Sequence, residues 1–305
     1  MFIGWLTCIP AVLLPHSLCR STTANAPANR QMPIASVVMW HFKKGKRMNE
    51  KFLLYIDILG FSELVIQHPE KVREIYNVVN KLNVHRHDAF QTIIFSDTIL
   101  VYNKYETDSL HDKQYVVMYM IEFVQDLLFR GNLIDLNFRS IITYGEFEHF
   151  KLEHTECYYG KSLISAYRHE KEINGVGLFL DSKLEVYNEI YKSCRYNSEL
   201  NFVFLFRTIL SLKFFTDDQL PLPSSLIEPA FEFCWLEDEI SILRKYFIAL
   251  NQHENPRVRA KYLQTYQFYR KLMPYTFEQL EKTDFSMKTI NPEVDWEMQK
   301  GRYFE

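Results

Sequence analysis

Apolar and polar positions along this chain fall into blocks whose period keeps switching between strand and helix. Phe52 to Ile58 (FLLYIDI) is apolar except for one acid near its end, the pattern of a buried strand. Leu59-Gly60-Phe61 makes a tight exit, and Ser62 can cap a helix that runs with apolar spacing to about Leu82, divided by Pro69. Thr92 to Phe95 and Thr98 to Tyr102 are two β-type runs flanking Ser96-Asp97, which predicts a hairpin with a two-residue turn. The turn lacks the usual glycine, so Ser96-Asp97 has some other reason to be there.

The same alternation continues. Asp112 to Phe129 predicts a helix ended by Arg130-Gly131-Asn132, and Asn137 to Tyr144 a strand ending at Gly145. Lys161 to Ile173 reads as a helix, Val176 to Leu180 as a strand and Ser182 to Cys194 as a further helix. Phe202 to Phe215 reads as one or two strands completing the sheet. Asp217 to Pro229 is a proline-rich linker, and helical spacing returns at Leu236 to Leu250 and Pro256 to Leu272. The order predicts an α/β fold, an α+β sandwich with a mixed sheet built around a central β-hairpin, flanking helices and a helical C-terminal extension. The expected boundaries are 48–215 for the sheet domain and 216–305 for the extension.

Residues 1–47 stand apart. Phe2 to Leu14 is largely apolar, but no positive charge precedes it and Pro27 follows the cleavage-like Ala24-Asn25-Ala26. The run is also too short for a membrane span. We read 1–47 as a non-native or disordered N-terminal extension, with the working protein starting at Met48; a real export signal is the alternative.

Composition narrows the classes. The chain has 305 residues, 47% hydrophobic and 24% charged, with a formal net charge of −3. That excludes general disorder and gives no global attraction to nucleic acid. Glycine numbers only 9, about 3% against a usual 7%, which speaks against a dinucleotide-binding fold. The five cysteines, Cys8, Cys19, Cys157, Cys194 and Cys234, are widely spaced without a CxxC. They suit a reducing cytoplasm better than a disulfide framework or a zinc knuckle.

Two acids carry the candidate chemistry. Asp57 is a carboxylate in an apolar strand, costly unless paired or metal-bound, and it sits where the strand opens into a turn. Asp97 lies at the tip of the predicted hairpin. If these strands are neighbours, both carboxylates emerge at one edge, as hard oxygen donors of the kind Mg²⁺ or Mn²⁺ takes beside nucleotide phosphates. Each alone also fits an ordinary role, Asp57 capping the next helix and Asp97 shaping a turn.

Tyr55-Ile56-Asp57-Ile58-Leu59-Gly60-Phe61 resembles the first metal motif of class III nucleotide cyclases, and Phe95-Ser96-Asp97 resembles the second. Phe138 to Gly145 (FRSIITYG) is similar to that family's following strand, and Gly160 to Glu170 (GKSLISAYRHE) is in register with its helix signature. The likeness covers about residues 50–195. The wording of these motifs, with the helical extension, looks most like the pyrimidine cyclases of bacterial Pycsar anti-phage systems.

The resemblance implies conversion of UTP to 3′,5′-cyclic UMP and pyrophosphate, or of CTP to cyclic CMP. Two Mn²⁺ or Mg²⁺ ions per site would be held by Asp57, Asp97 and the Ile58 carbonyl. The amides of Leu59, Gly60 and Phe61 would cradle phosphates. It implies a homodimer with composite sites in which Arg168 of one chain faces the aspartates of the other, and a downstream effector that senses the cyclic product. No membrane span is expected.

Departures from the family pattern are specific. Ile164 stands where the helix signature has Asn, four residues before Arg168. Ile93 and Cys157 stand near the places of an adenine-reading Lys and Asp, and Glu146 replaces a phosphate-binding Arg. A catalytically inactive cyclase-like domain used for binding or dimerisation is therefore a second expectation, and a purine cyclase a third. Gly160-Lys161-Ser162 lacks the earlier glycine of a P-loop. His85 and His87 read as solvated surface, and the polar stretch Glu146, Glu148, His149, Glu153 and His154 as a solvated hairpin or loop. The basic residues Arg257, Arg259, Lys261, Arg270 and Lys271 read as a solvated helix face, with contact to triphosphate or a partner chain as the alternative, and the aromatics Tyr262, Tyr266, Phe268 and Tyr269 as packing.

Overall fold

The computed structural model describes residues 49–227, 233 and 235–296. The expected N-terminal extension, with Cys8 and Cys19, and Cys234 lie outside the described residues.

β1 (Glu50–Ile58) is the hub of the sheet, buried from Phe52 to Ile56. The chain leaves it through Gly60 into α1 (Phe61–Gln67) and α2 (Pro69–Asn80), with Pro69 in the first turn of α2, where the missing N–H costs nothing. Ser62 does not cap α1. Gly60 holds the N-cap position at φ 75°, a left-handed conformation that glycine adopts freely, and no side chain caps the helix. β2 (Phe90–Phe95) and β3 (Thr98–Asn103) form the predicted hairpin, with Ser96 at φ 55° in the turn.

α3 (Leu110–Asn132) begins at a capping box between Ser109 and Asp112, and β4 (Phe138–Glu146) follows it. β5 (Glu148–Lys151) and β6 (Glu156–Tyr159) make a small second sheet, an antiparallel hairpin whose first strand and turn come from the polar stretch read as a solvated hairpin or loop. α4 (Lys161–Glu172) and β7 (Gly177–Asp181) lie where the sequence placed them. Gly160 sets the seat of α4: a Cβ there would lie 2.1 Å from the Glu146 carbonyl oxygen and 2.7 Å from Phe147 Cα.

Two segments differ from the sequence reading. Ser182 to Cys194 is not a helix. A 3-10 turn (Ser182–Tyr187) ends at Asn188, whose side chain accepts from the Tyr191 amide and donates to the Tyr191 carbonyl, and β8 (Ser193–Arg195) follows. Local side-chain bonds of this kind compete with helix propagation. Phe202 to Phe215 is only partly strand: β9 (Leu200–Val203) gives way to α5 (Arg207–Thr216). The first turn of α5 is satisfied from a distance, because the Glu239 carboxyl accepts from the amides of Thr208 (3.0 Å) and Ile209 (2.6 Å). The described residues after α5 include α6 (Ser224–Ile227), α7 (Leu236–Gln252), α8 (Pro256–Leu272) and α9 (Pro274–Lys282).

The main sheet has seven strands in the order β2-β3-β1-β4-β7-β9-β8, antiparallel throughout except for the parallel pair β4–β7. It is the expected mixed sheet with flanking helices. The hairpin sits at one edge rather than in the middle, because β1 pairs with β3 on one side and β4 on the other. Alternation along β1 sends Phe52 and its period-two partners to one face, where Phe52 packs on Tyr144 and Tyr187. Tyr55 and Asp57 point to the other face, the one α4 covers. No helix among the described residues is long and apolar enough to cross a membrane.

Candidate active site

Asp57 and Asp97 meet through strand register. Asp57 is opposite Thr98 across the β1–β3 pair, and the Ile58 amide donates to the Asp97 carbonyl at 2.9 Å. Asp97 is close enough for its charge to act on the Asp57 carboxyl. The Leu59 amide donates in turn to the Asn137 carbonyl at 2.9 Å. The turn after β1 is thus stitched to the hairpin tip on one side and to the entry of β4 on the other.

That stitch corrects one expectation. The Leu59 N–H already has a backbone acceptor, so it is not free to bind phosphate. Gly60 and Phe61 open α1, where the first amides of a helix lack intrahelical acceptors.

Asp57 is held more elaborately than the strand pattern suggests. Arg139, its partner across the β1–β4 register, reaches it with Nη2 at 3.0 Å from Oδ2. The same Nη2 contacts Glu170 on α4, and Nη1 donates to the Ile173 carbonyl at 2.9 Å. Both partners are largely buried, with side chains 11% (Arg139) and 18% (Asp57) exposed. Burial pushes the Asp57 carboxyl above its ordinary range; Arg139 pulls it back down, Asp97 pushes it up again and Lys261 opposes that. Burial likewise lowers Arg139, against the pull of Asp57.

Lys261 comes from α8, about 200 residues along the chain. Thr265, one helical turn later, donates to the Val176 carbonyl and accepts from its amide, which fixes α8 against the start of β7. Gly177, the next residue, is the register partner of Arg139. Lys261 is half-buried and makes no hydrogen bond or ion pair among the described residues. Burial lowers its pKa, Arg139 lowers it further and Asp57 raises it. Three carboxyl groups, Asp57, Asp97 and Glu170, therefore gather with two cationic groups, Arg139 and Lys261. Asp57, Asp97 and the Ile58 carbonyl are oxygen donors of the type Mg²⁺ and Mn²⁺ take, and a carboxylate surplus suits a cation there.

Arg168 lies on the exposed face of α4, one turn after Ile164, which is 68% exposed. Among the described residues, Arg168 makes no ion pair with Asp57, whose partner is Arg139. Ile93 is half-buried on β2 opposite Leu100, and Cys157 is a free thiol on β6 opposite Phe150. Glu146 is ion-paired to Lys161 at 3.0 Å. His85 bonds the Val79 carbonyl and His87 the Tyr115 hydroxyl, so both serve local packing. Tyr262, Tyr266, Phe268 and Tyr269 are buried, as packing requires.

Arg139 and Glu170 are residues that sequence reasoning did not assign to the site, and Lys261 entered it only as an alternative to a solvated face. Arg139 and Glu170 stood inside quoted motifs. The one signal for Lys261 was its place in a basic helix.

No family model matches the chain, and no curated protein matches it. Among solved structures, a guanylyl cyclase is similar over 52% of this chain and 93% of its own, at 16% identity and a TM-score of 0.39. The adenylyl cyclase CyaB from P. aeruginosa is similar over 52% of this chain and 95% of its own, at 13% identity and a TM-score of 0.39. A class III adenylyl cyclase-like ATP-binding protein from Pseudomonas aeruginosa is similar over 46% of this chain and 35% of its own, at 15% identity and a TM-score of 0.34.

Proposed function

We propose that this chain is a nucleotide cyclase acting on a pyrimidine triphosphate, UTP in preference to CTP, and that it releases a 3′,5′-cyclic nucleotide and pyrophosphate. The observation that carries the reading is the Asp57–Asp97 adjacency at one lip of the sheet, secured by the Ile58 amide bond to Asp97. The four ordered motifs quoted above support the family. The pyrimidine preference and an anti-phage role, with an effector reading the product, rest on the resemblance alone.

In this reading Asp57, Asp97 and the Ile58 carbonyl hold two Mg²⁺ or Mn²⁺ ions. Such ions lower the pKa of a bound hydroxyl and neutralise charge on the phosphates. The substrate's 3′-hydroxyl gives its proton to water, its oxygen attacks the α-phosphorus of the same molecule, the bond to the bridging oxygen breaks, and pyrophosphate leaves with the electron pair. Arg139 fixes the Asp57 carboxylate in one orientation and favours its ionised form, against the burial that raises its pKa. Lys261, a half-buried cation without a bonded partner, faces this lip and binds the departing phosphates. The amides of Gly60 and Phe61 contribute further donors. Catalysis is then positioning and charge neutralisation.

A second copy of the chain supplies Arg168. The exposed apolar side chains Phe95 on the hairpin and Ile164 and Tyr167 on α4 support such a homodimer face. Ile164 in place of a hydrogen-bonding Asn favours the alternative of an inactive binding domain. Incubating the purified chain with each of the four ribonucleoside triphosphates and Mn²⁺ separates the readings. Cyclic UMP or cyclic CMP with matching pyrophosphate supports the proposal, and no cyclic product from any of them favours the inactive domain.

A further inference from the structure

A second cluster lies at the C-terminal end of α4, outside the site above. His169 is buried, its side chain only 5% exposed, yet its Nδ1 has no hydrogen-bond partner. A buried ring nitrogen left unpaired is costly. It points at two carboxylates, with Glu172 Oε2 at 3.7 Å, one helical turn along α4, and Glu199 Oε2 at 3.6 Å, from the turn between β8 and β9. One ligand atom from each residue lies within 4.8 Å of the others. Neither carboxylate has another partner among the described residues.

These separations are too long for hydrogen bonds. They are close to the spacing between ligands around one tetrahedral ion, which for bonds of 2.0–2.2 Å is about 3.4 Å. The turn that carries Glu199 is well anchored. Asn197 Oδ1 accepts from the amides of Glu199 and Leu200, both at 2.8 Å, and the Glu199 carbonyl accepts from Ser182 at 2.8 Å. The helix and the turn therefore present three donors without rearrangement.

We propose that His169, Glu172 and Glu199 form a binding site for a borderline divalent ion, zinc above all, with water as the fourth ligand. The donor set decides the ion. One imidazole nitrogen with two carboxylates suits zinc, whereas the all-oxygen set at Asp57 and Asp97 suits magnesium or manganese. Zinc here would tie the end of α4 to the β8–β9 turn. Glu170, the residue after His169, holds Arg139, so the tie would steady one support of the candidate active site. The inference stands on its own donors and does not depend on the cyclase reading.

The test uses the full chain carrying Asp57→Asn and Asp97→Asn, which removes the other carboxylate pair as a competing site. After chelator treatment and dialysis, Zn²⁺ is titrated calorimetrically and bound metal is counted by elemental analysis. The expected result is one zinc per chain, with affinity reduced at least about tenfold by Glu172→Gln and by Glu199→Gln. Both substitutions are at exposed carboxylates, so folding is not at stake; His169→Gln is the third arm. Co²⁺ in place of zinc should give the intense visible absorption of a tetrahedral site, lost in the same variants. Zinc binding that is absent, or indifferent to Glu172→Gln and Glu199→Gln, would overturn the proposal.

Discussion

Arg139 of β4 reaches across the strand pair to Asp57 of β1, Nη2 to Oδ2 at 3.0 Å, and the same nitrogen contacts Glu170 of α4. One guanidinium thus ties the candidate metal ligand to the helix that covers it. Removing Arg139 leaves two poorly solvated carboxylates without their cation. Arg139→Ala should destabilise the fold by roughly 3–5 kcal/mol, the range for stripping one partner from a buried pair. Urea unfolding monitored by circular dichroism measures it.

Asp57 should behave in the opposite way. Its folded pKa is raised, chiefly by burial, so its contribution to stability is present below the unfolded value and is lost as pH rises through the folded one. At neutral pH the ionised group is a net cost. Asp57→Asn should therefore melt no lower than the parent chain, since Arg139 keeps Glu170 and the Ile173 carbonyl as partners. Thermal denaturation of the two proteins side by side tests this, and a clear drop would mean that the Arg139 pair outweighs the burial.

The C-terminal helices carry their own pH signature. Glu239 is fully buried, and burial pushes its carboxyl up to about 8 against the two amides of α5 that it accepts from. A raised folded pKa gives stability below about 4.5 that fades as pH rises through about 8. The melting temperature should fall across that window, and Glu239→Gln should flatten the fall.

Lys261→Ala should weaken nucleotide binding without unfolding the chain. A charge-assisted bond to phosphate is worth about 1.5–3 kcal/mol, so KM should rise about ten- to a hundredfold. Steady-state kinetics with UTP and CTP would show it. An unchanged KM would return Lys261 to the solvated face that the sequence suggested.

Gly160→Ala tests how α4 is seated. The added methyl would meet backbone, not a flexible side chain, 2.1 Å from the Glu146 carbonyl oxygen. A loss of about 1–3 kcal/mol or more is expected, read by denaturant unfolding.

How far the sequence reached depends on whether a signal was local. Asp57 and Asp97 could be paired in advance because an apolar strand and a two-residue hairpin turn each carry their own pattern. Arg139 was visible only as a polar interruption in a strand; its role depends on register with β1, which no single strand encodes. Lys261 needed the docking of α8 through Thr265 and Val176, a contact between residues 89 positions apart. Ser182 to Cys194 misled because its apolar spacing was helical while Asn188 terminated the turn. The helix at Arg207–Thr216 was hidden in an apolar run, its first amides satisfied by Glu239 from a later segment.

The central claim is that Asp57 and Asp97 together hold the ions on which phosphoryl transfer depends. Cyclic nucleotide formed per chain by the parent protein, Asp57→Ala and Asp97→Ala, each first shown to be folded and in the same oligomeric state, tests it most directly. The account predicts product from the parent with Mn²⁺ and none above background from either variant. Turnover that survives in Asp57→Ala or in Asp97→Ala would contradict it.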